Sequence, residues 1–270
     1  MYPFIFPHSD FIRIPTYVLI ISLVYCFSPF WILRRAEQKD LSKTLSLDLC
    51  LAIMIGGLFG ARFMHVYYEM PEFYRLNPAE ILKIWEGGFV FYGGFFGALL
   101  CALALLRYRK ESFLTWADLF APVLAMAYAT GRIGCFLAGC CYGRACDLPW
   151  AVHFPPGGEA PSGYLHPTQL YAASWEFALV ILLLYFERHL NKLSYTFNGD
   201  RMSLTKPGSL FFIWLFLHGV GRIVMEMFRD DPRGPDFLGL SISTWISACL
   251  MLVSIGFILS KRKNNVSGAV

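Results

Sequence analysis

Arg62, Arg132 and Arg222 stand in stretches that are otherwise almost free of charge, and two of them have ionisable company nearby. His65 and Glu69 follow Arg62, while His218 and Glu226 lie one helical turn to either side of Arg222. Glu176 is a lone acid in a further apolar stretch. A guanidinium offers planar N–H donors that match a phosphate or carboxylate, so three of them in apolar surroundings point to one anionic ligand held by charge-assisted bonds. A plainer role is available to each: reaching for lipid headgroups, or pairing with the neighbouring acid. That role serves one arginine more readily than three, and a shared anion in an outward-opening cavity is the preferred reading. Glycines add to it. Residues 131–143 read G-R-I-G-C-F-L-A-G-C-C-Y-G, and the amides of Gly131, Gly134 and Gly143 beside Arg132 would suit phosphate oxygens. The same spacing, and that of G-G-F-V-F-Y-G-G-F-F-G at 87–97, also lets helices approach closely.

These residues need a bilayer to make sense. The chain has 270 residues, of which 56% are hydrophobic and only 16% charged, with mean hydropathy +0.50. A soluble domain carries about 25% charged residues. The polar surface of a water-soluble ball is therefore missing, and disorder, a collagen-like rod and a disulfide-stapled secreted module are excluded too. Net charge is +4 without any basic, aromatic-interleaved block, which argues against nucleic acid. Roughly 20 apolar residues cross a bilayer as a helix. Seven stretches qualify, at 15–33, 46–69, 88–106, 116–138, 168–187, 207–228 and 237–260. The expected fold is one all-α transmembrane domain. No basic segment or small-residue cleavage site marks a removable signal, so the first span is expected to be retained.

Lysine and arginine set the orientation. Arg34, Arg35, Lys39 and Lys43 follow the first span, and Arg107, Arg109 and Lys110 the third. Arg188, Lys192, Arg201 and Lys206 follow the fifth, and Lys261, Arg262 and Lys263 the seventh. The opposite side holds only Arg13, Arg75, Lys83, Arg144, Arg229 and Arg233. This predicts an outside N-terminus, a cytoplasmic C-terminus and the membrane arginines toward the outer leaflet. The outer segment 139–167, rich in Pro and Gly with a strip Leu148-Pro149-Trp150-Ala151-Val152, is expected to lie on the membrane surface. Thr168 is a candidate cap for the helix that follows. Of eight cysteines, Cys135, Cys140, Cys141 and Cys146 crowd together. Their spacing matches no zinc template; packing or a disulfide is preferred, with metal binding and thiol chemistry as the alternatives.

The ordered set of motifs resembles the prolipoprotein diacylglyceryl transferase family over essentially the whole chain. The family pattern G-R-x-G-N-F-x-x-G is matched by Gly131-Arg132-Ile133-Gly134-Cys135-Phe136 through Gly139. Gly60-Ala61-Arg62, the glycine run at 87–97, Leu148-Pro149-Trp150-Ala151 and His166-Pro167-Thr168-Gln169-Leu170-Tyr171 accompany it. So do Tyr17, Glu176, and Arg222 with Glu226 and Arg229. The resemblance implies a bacterial inner-membrane enzyme. It would move the diacylglyceryl group of phosphatidylglycerol to the lipobox cysteine of a prolipoprotein signal peptide, leaving glycerol 1-phosphate, without metal or cofactor. On it, Arg132 and Arg222 clamp the phosphate, Glu226 orients Arg222, and Arg62, Arg229, Tyr17, Gly131, Gly134 and Gly143 complete the lipid site. A monomer is expected, because the site comes from one chain.

The chain departs from the pattern where chemistry would happen. Tyr92 stands where the family carries His, Cys135 replaces Asn, Cys140 replaces an acid, His218 replaces Tyr, and Trp245 lies near a missing Gln. A tyrosine near pKa 10 is a poor base for a thiol near 8.5. Either Tyr92 only hydrogen-bonds, or the base moves to His65, His218 or His166, with His218 and His166 preferred; a third option is that arginines lower the thiol pKa and no base is needed. Two other readings remain: a diverged relative with another acceptor, and an anion transporter, disfavoured because the cytoplasmic half of the spans is apolar. A thiol oxidoreductase lacks a C-x-x-C pair.

Overall fold

A computed structural model describes residues 15–84, 87–154, 160–193, 207–230 and 240–266. The helices are α1 (Thr16–Gln38), α2 (Lys43–Met64), α3 (Pro71–Leu76), α4 (Phe91–Tyr108), α5 (Phe113–Ala138), α6 (Thr168–Leu193), α7 (Ser209–Glu226) and α8 (Ile242–Val266). A π-helical turn, His65–Glu69, extends α2, and a 3-10 turn covers Pro78–Leu82. Among the described residues, seven helices are long and apolar enough to cross a membrane: all of these except α3. Each expected span has its helix, with the ends displaced by a few residues where basic or polar residues continue the helix beyond the apolar stretch. The expected start of the last span, 237–239, lies outside the described residues, as do Arg13, Arg201, Lys206 and Arg233 of the charge pattern.

The chain divides into two compact units, Met1–Ser28 with Ala117–Val270, and Pro29–Trp116. The second unit is built on glycine. A Cβ added at Gly60 would sit on the carbonyl oxygen of Gly93, and one at Gly97 on that of Gly56. Without side chains at these crossing points the backbones of α2 and α4 touch, which is how apolar helices associate in lipid, where burial of apolar surface drives nothing.

In the first unit α5 and α7 run side by side in the same direction. Asp118, early in α5, accepts hydrogen bonds from the amides of Gly208 (2.7 Å) and Phe211 (2.8 Å), so its carboxylate satisfies the exposed N–H groups at the start of α7. Further along the same helices Tyr128 meets His218, ring centroids 4.8 Å apart. Two glycines then let the neighbours in. Gly221 leaves the space that the Trp175 indole of α6 occupies, and Gly219 lies against Ser247 and Met251 of α8. The Trp175 Nε1–H donates to the Leu217 carbonyl (3.1 Å), fixing α6 on α7.

Segment 139–167 contains strands: Val152–Phe154 (β1) and Gly163–Leu165 (β2) pair antiparallel, His153 opposite Tyr164. The all-α expectation therefore needs this hairpin added. Alternating Val152 and Phe154 put one face inward, where fully buried Phe154 packs with Tyr142, Ala160 and Leu165, while Trp150 stays exposed. Residues 155–159 lie outside the described residues. Thr168 does not cap its own helix with its hydroxyl, which instead donates to the Cys141 carbonyl (2.8 Å) and ties the segment down.

Gly97→Ala is expected to force α2 and α4 apart and to lower stability by about 1–3 kcal/mol, as overpacking does. Gly256→Ala, where nothing lies within 4 Å of the added carbon, should be neutral or stabilising by about 0.5–1 kcal/mol. Unfolding of both variants in detergent, followed by circular dichroism, measures the contrast.

Candidate active site

Tyr128 and Arg132 are one turn apart on α5, and the tyrosine holds the arginine twice. The Arg132 Nη2 donates to the Tyr128 hydroxyl (2.6 Å), and its guanidinium carbon lies 4.7 Å from the ring centroid, a cation–π contact. The other edge of Tyr128 faces α7, where His218, Arg222 and Glu226 follow one another turn by turn. Arg222 pairs with Glu226 (3.2 Å) and donates to the Ser243 hydroxyl of α8 (3.0 Å); Ser243 in turn donates to Glu226 (3.3 Å). Arg132 and Arg229 both lie near enough to repel the Arg222 guanidinium electrostatically, so three cations share this region.

His218 has a carboxylate of its own. Its Nδ1 is 2.6 Å from Glu176 Oε1, and Trp214 donates its indole N–H to the other carboxylate oxygen (3.1 Å). Glu176 is only 2% exposed. A carboxylate at Nδ1 fixes the ring with its proton on that nitrogen and turns Nε2 into an acceptor. Tyr128, Glu176, His218 and Arg222 line a crevice with Trp175 and Met225 that has about 10 Å³ to spare, roughly the room one water needs. A larger hollow of about 720 Å³ sits between Leu103 and Phe113, lined by Leu106 and, at a helix end, by Arg107, Lys110 and Glu111, with no histidine or cysteine in its lining.

Next to Arg132, the thiol sulfurs of Cys135, Cys140 and Cys141 lie within 4.8 Å of one another, and all eight cysteines are free thiols. Hydrogen bonds from Cys135 and Cys140 hold the Cys141 thiol far below its ordinary pKa, with Arg229 and Arg132 adding to the effect. The same sharing pushes Cys140 up.

Several expected roles do not fit this geometry. Gly131 and Gly134 lie inside α5, where their amides serve the helix, and Gly134 packs on Tyr17 and Ile20 of α1. The Gly143 amide donates to the His166 carbonyl (3.1 Å), at a crossing where a Cβ would strike His166 and Phe228. None of the three has an amide to give a phosphate; close packing explains glycine at 134 and 143, while Gly131 makes only an ordinary contact with Ile21. Tyr17 is half-exposed against Gly134. Arg229 is buried, its backbone bridged to Gly143. His166 reaches Tyr171 (3.2 Å) and rests on Phe228, not on a carboxylate.

In the other unit Arg62 is 7% exposed and fully engaged. Its Nε donates to the Ile81 carbonyl, Nη1 to those of Gly87 and Gly88, and Nη2 to those of Glu80 and Lys83. Every donor of the fork is used, so Arg62 ties down the backbone at 80–83 and at 87–88 and has none left for a ligand. His65 pairs with Glu69 (2.5 Å), and Tyr92, 37% exposed, packs edge-on to Phe91.

Sequence reasoning had no role for Tyr128 or Ser243 and assigned none to Glu176. Tyr128 had a signal, its place one turn before Arg132. Ser243 had none, because only the packing of α8 on α7 brings it to Arg222.

A family model described as prolipoprotein diacylglyceryl transferase matches residues 3–260. A protein of Clostridium tetani named phosphatidylglycerol–prolipoprotein diacylglyceryl transferase is 32% identical over 82% of this chain and 83% of its own length. One of Idiomarina loihiensis with the same name is 30% identical over 93% of this chain and 90% of its own. The protein of Clostridium perfringens numbered 2 under that name is 32% identical over 95% and 93%.

Removing the buried carboxylate leaves His218 and the Trp214 N–H without their partner. Glu176→Ala is expected to destabilise the fold by about 1–3 kcal/mol, and Glu176→Gln by less, since an amide can still accept from one of them. Thermal unfolding in detergent compares the two; equal stability of Glu176→Ala and the parent chain would show that the pair carries nothing.

Proposed function

The chain belongs to the prolipoprotein diacylglyceryl transferase family, and from that premise we propose that it transfers the diacylglyceryl group of phosphatidylglycerol to the lipobox cysteine of prolipoproteins. The observation that carries the mechanism is the gathering of Arg132, Arg222 and the Glu176–His218 pair around Tyr128. His218 Nε2 takes the proton of the acceptor thiol, and Glu176 stabilises the imidazolium that results. The thiolate attacks the glycerol carbon that bears the phosphate, the carbon–oxygen bond breaks, and a thioether forms. The electron pair leaves on the phosphate oxygen, and the proton held by His218 passes to the departing glycerol 1-phosphate.

The developing charge on that leaving group is what Arg132 and Arg222 answer. Each retains donors beyond its protein bonds among the described residues: Arg132 is bonded to Tyr128, and Arg222 to Ser243 and Glu226. Fixed donors in a site that excludes water stabilise such charge strongly. Glu226 keeps Arg222 aimed, and Arg229 adds positive potential. Arg62 is assigned to holding the backbone around it, and Tyr92 is not assigned the role of base. The positive-inside pattern supports an inner-membrane protein with its site toward the outer leaflet, the N-terminus outside and the C-terminus in the cytoplasm. The enzyme is read as a monomer that requires no cofactor.

The test uses purified protein in detergent, phosphatidylglycerol and a lipobox peptide with one cysteine, read by mass spectrometry for the diacylglyceryl adduct. Arg132→Ala is expected to abolish transfer in a protein that still folds and inserts. His218→Ala should slow transfer by about 10²–10⁴-fold, the range of a lost general base, and His166→Ala by no more than a few-fold. Undiminished transfer by Arg132→Ala would sink the phosphate clamp; a His218→Ala loss no greater than that of His166→Ala would sink the base.

A further inference from the structure

We propose that Cys135, Cys140 and Cys141 form a binding site for one thiophilic divalent cation of the zinc class, beside the active-site arginine. The transfer chemistry uses none of these thiols, and their sequence spacing hides the arrangement. The end of α5 creates it. Gly139, at φ 82°, lets the chain turn back, with the Cys140 amide donating to the Cys135 carbonyl (3.2 Å) and the Gly139 amide to that of Phe136 (3.2 Å). This pair of bonds is the glycine-terminated helix ending that lays the residue after the glycine over the last turn. Where such an ending commonly makes an apolar contact, here it sets the Cys140 thiol over Cys135.

Cys141 completes the triangle at a strained backbone. Its φ is 61°, in the left-handed region that a residue with a side chain rarely adopts. The Thr168 hydroxyl holds its carbonyl, and Gln169 Nε2 holds that of Cys140 (2.6 Å), so two side chains from the start of α6 fix the turn. Non-glycine residues kept in this conformation by their surroundings concentrate at functional sites.

The geometry suits the ion. A zinc–sulfur bond of about 2.3 Å in a trigonal arrangement puts the sulfurs roughly 4 Å apart, and the three here lie within 4.8 Å, a gap that small side-chain rotations close. Each thiol yields its proton to solvent on binding, so a divalent ion with three thiolates carries one net negative charge. Arg132 and Arg229, which act on Cys141, offset it. Three ligands leave a fourth position for water. Gln169, 1% exposed, keeps its Oε1 without a hydrogen-bond partner among the described residues, an acceptor that a metal-bound water would satisfy. Thiolates select such soft ions over magnesium or calcium.

The test titrates cadmium ion into the full-length protein in detergent, kept reduced by a non-chelating phosphine. A thiolate-to-cadmium absorption band in the near ultraviolet should saturate at one equivalent. Cys135→Ser, Cys140→Ser and Cys141→Ser should each weaken binding by more than the 10–100-fold that loss of an outer-shell partner costs, and Cys146→Ser should leave it unchanged. A second arm needs no variant: cadmium should protect these three thiols, and not Cys146, from maleimide, as mapped by mass spectrometry. No saturable band, a band that persists in the triple serine variant, or equal loss in Cys146→Ser would each overturn the site. The readout is binding alone, so it stands or fails apart from the transferase reading.

Discussion

A guanidinium in an apolar helix must have its charge and its N–H groups answered, and the cost of failing to do so, about 2.5–3.5 kcal/mol even on lenient insertion scales, shapes this molecule. Two solutions appear. Arg62 is answered completely by backbone carbonyls of one loop, which makes it a structural tie. Arg132 and Arg222 are answered in part, by a phenol in one case and by a serine and a carboxylate in the other. What separates Arg62 from Arg132 and Arg222 is the number of donors left over among the described residues, not depth or neighbouring sequence.

The partial answers work only because the helices that carry them are held in register. Asp118 fixes where α7 starts relative to α5, and that one alignment brings Tyr128 to His218 and places Arg132 and Arg222 within electrostatic reach. Gly219 and Gly221 then let α8 and α6 close on α7, delivering Ser243 to Arg222 and Glu176 to His218. A charged cap at one end of two parallel helices thus sets the chemistry further along them. The buried Glu176 is tolerable because both its oxygens are bonded.

Three of the replacements at family positions, His218, Cys135 and Cys140, lie in the unit that holds Tyr128 and Arg132. His218 meets the buried Glu176 carboxylate, which fixes the orientation of its ring. Cys135 and Cys140, in place of an amide and an acid, bring their thiols beside Cys141. Arg132 lies beside both Tyr128 and the thiol cluster, so one positive charge has two groups of partners.

Composition and hydropathy in the sequence already pointed to the seven membrane-length helices found among the described residues, and to which residues were candidates, because period and polarity are local properties. The identity of Arg132, Arg222, Glu226 and His218 as neighbours along helices was legible the same way. Contacts between elements were not. That Gly134 and Gly143 serve packing, that Arg62 spends every donor on nearby backbone carbonyls, that 152–154 pairs with 163–165, and that cysteines at spacings of five and one converge all depend on where separate segments meet. Sequence spacing fixes which face of a helix a residue occupies; only the packing of one helix on another decides what that face touches.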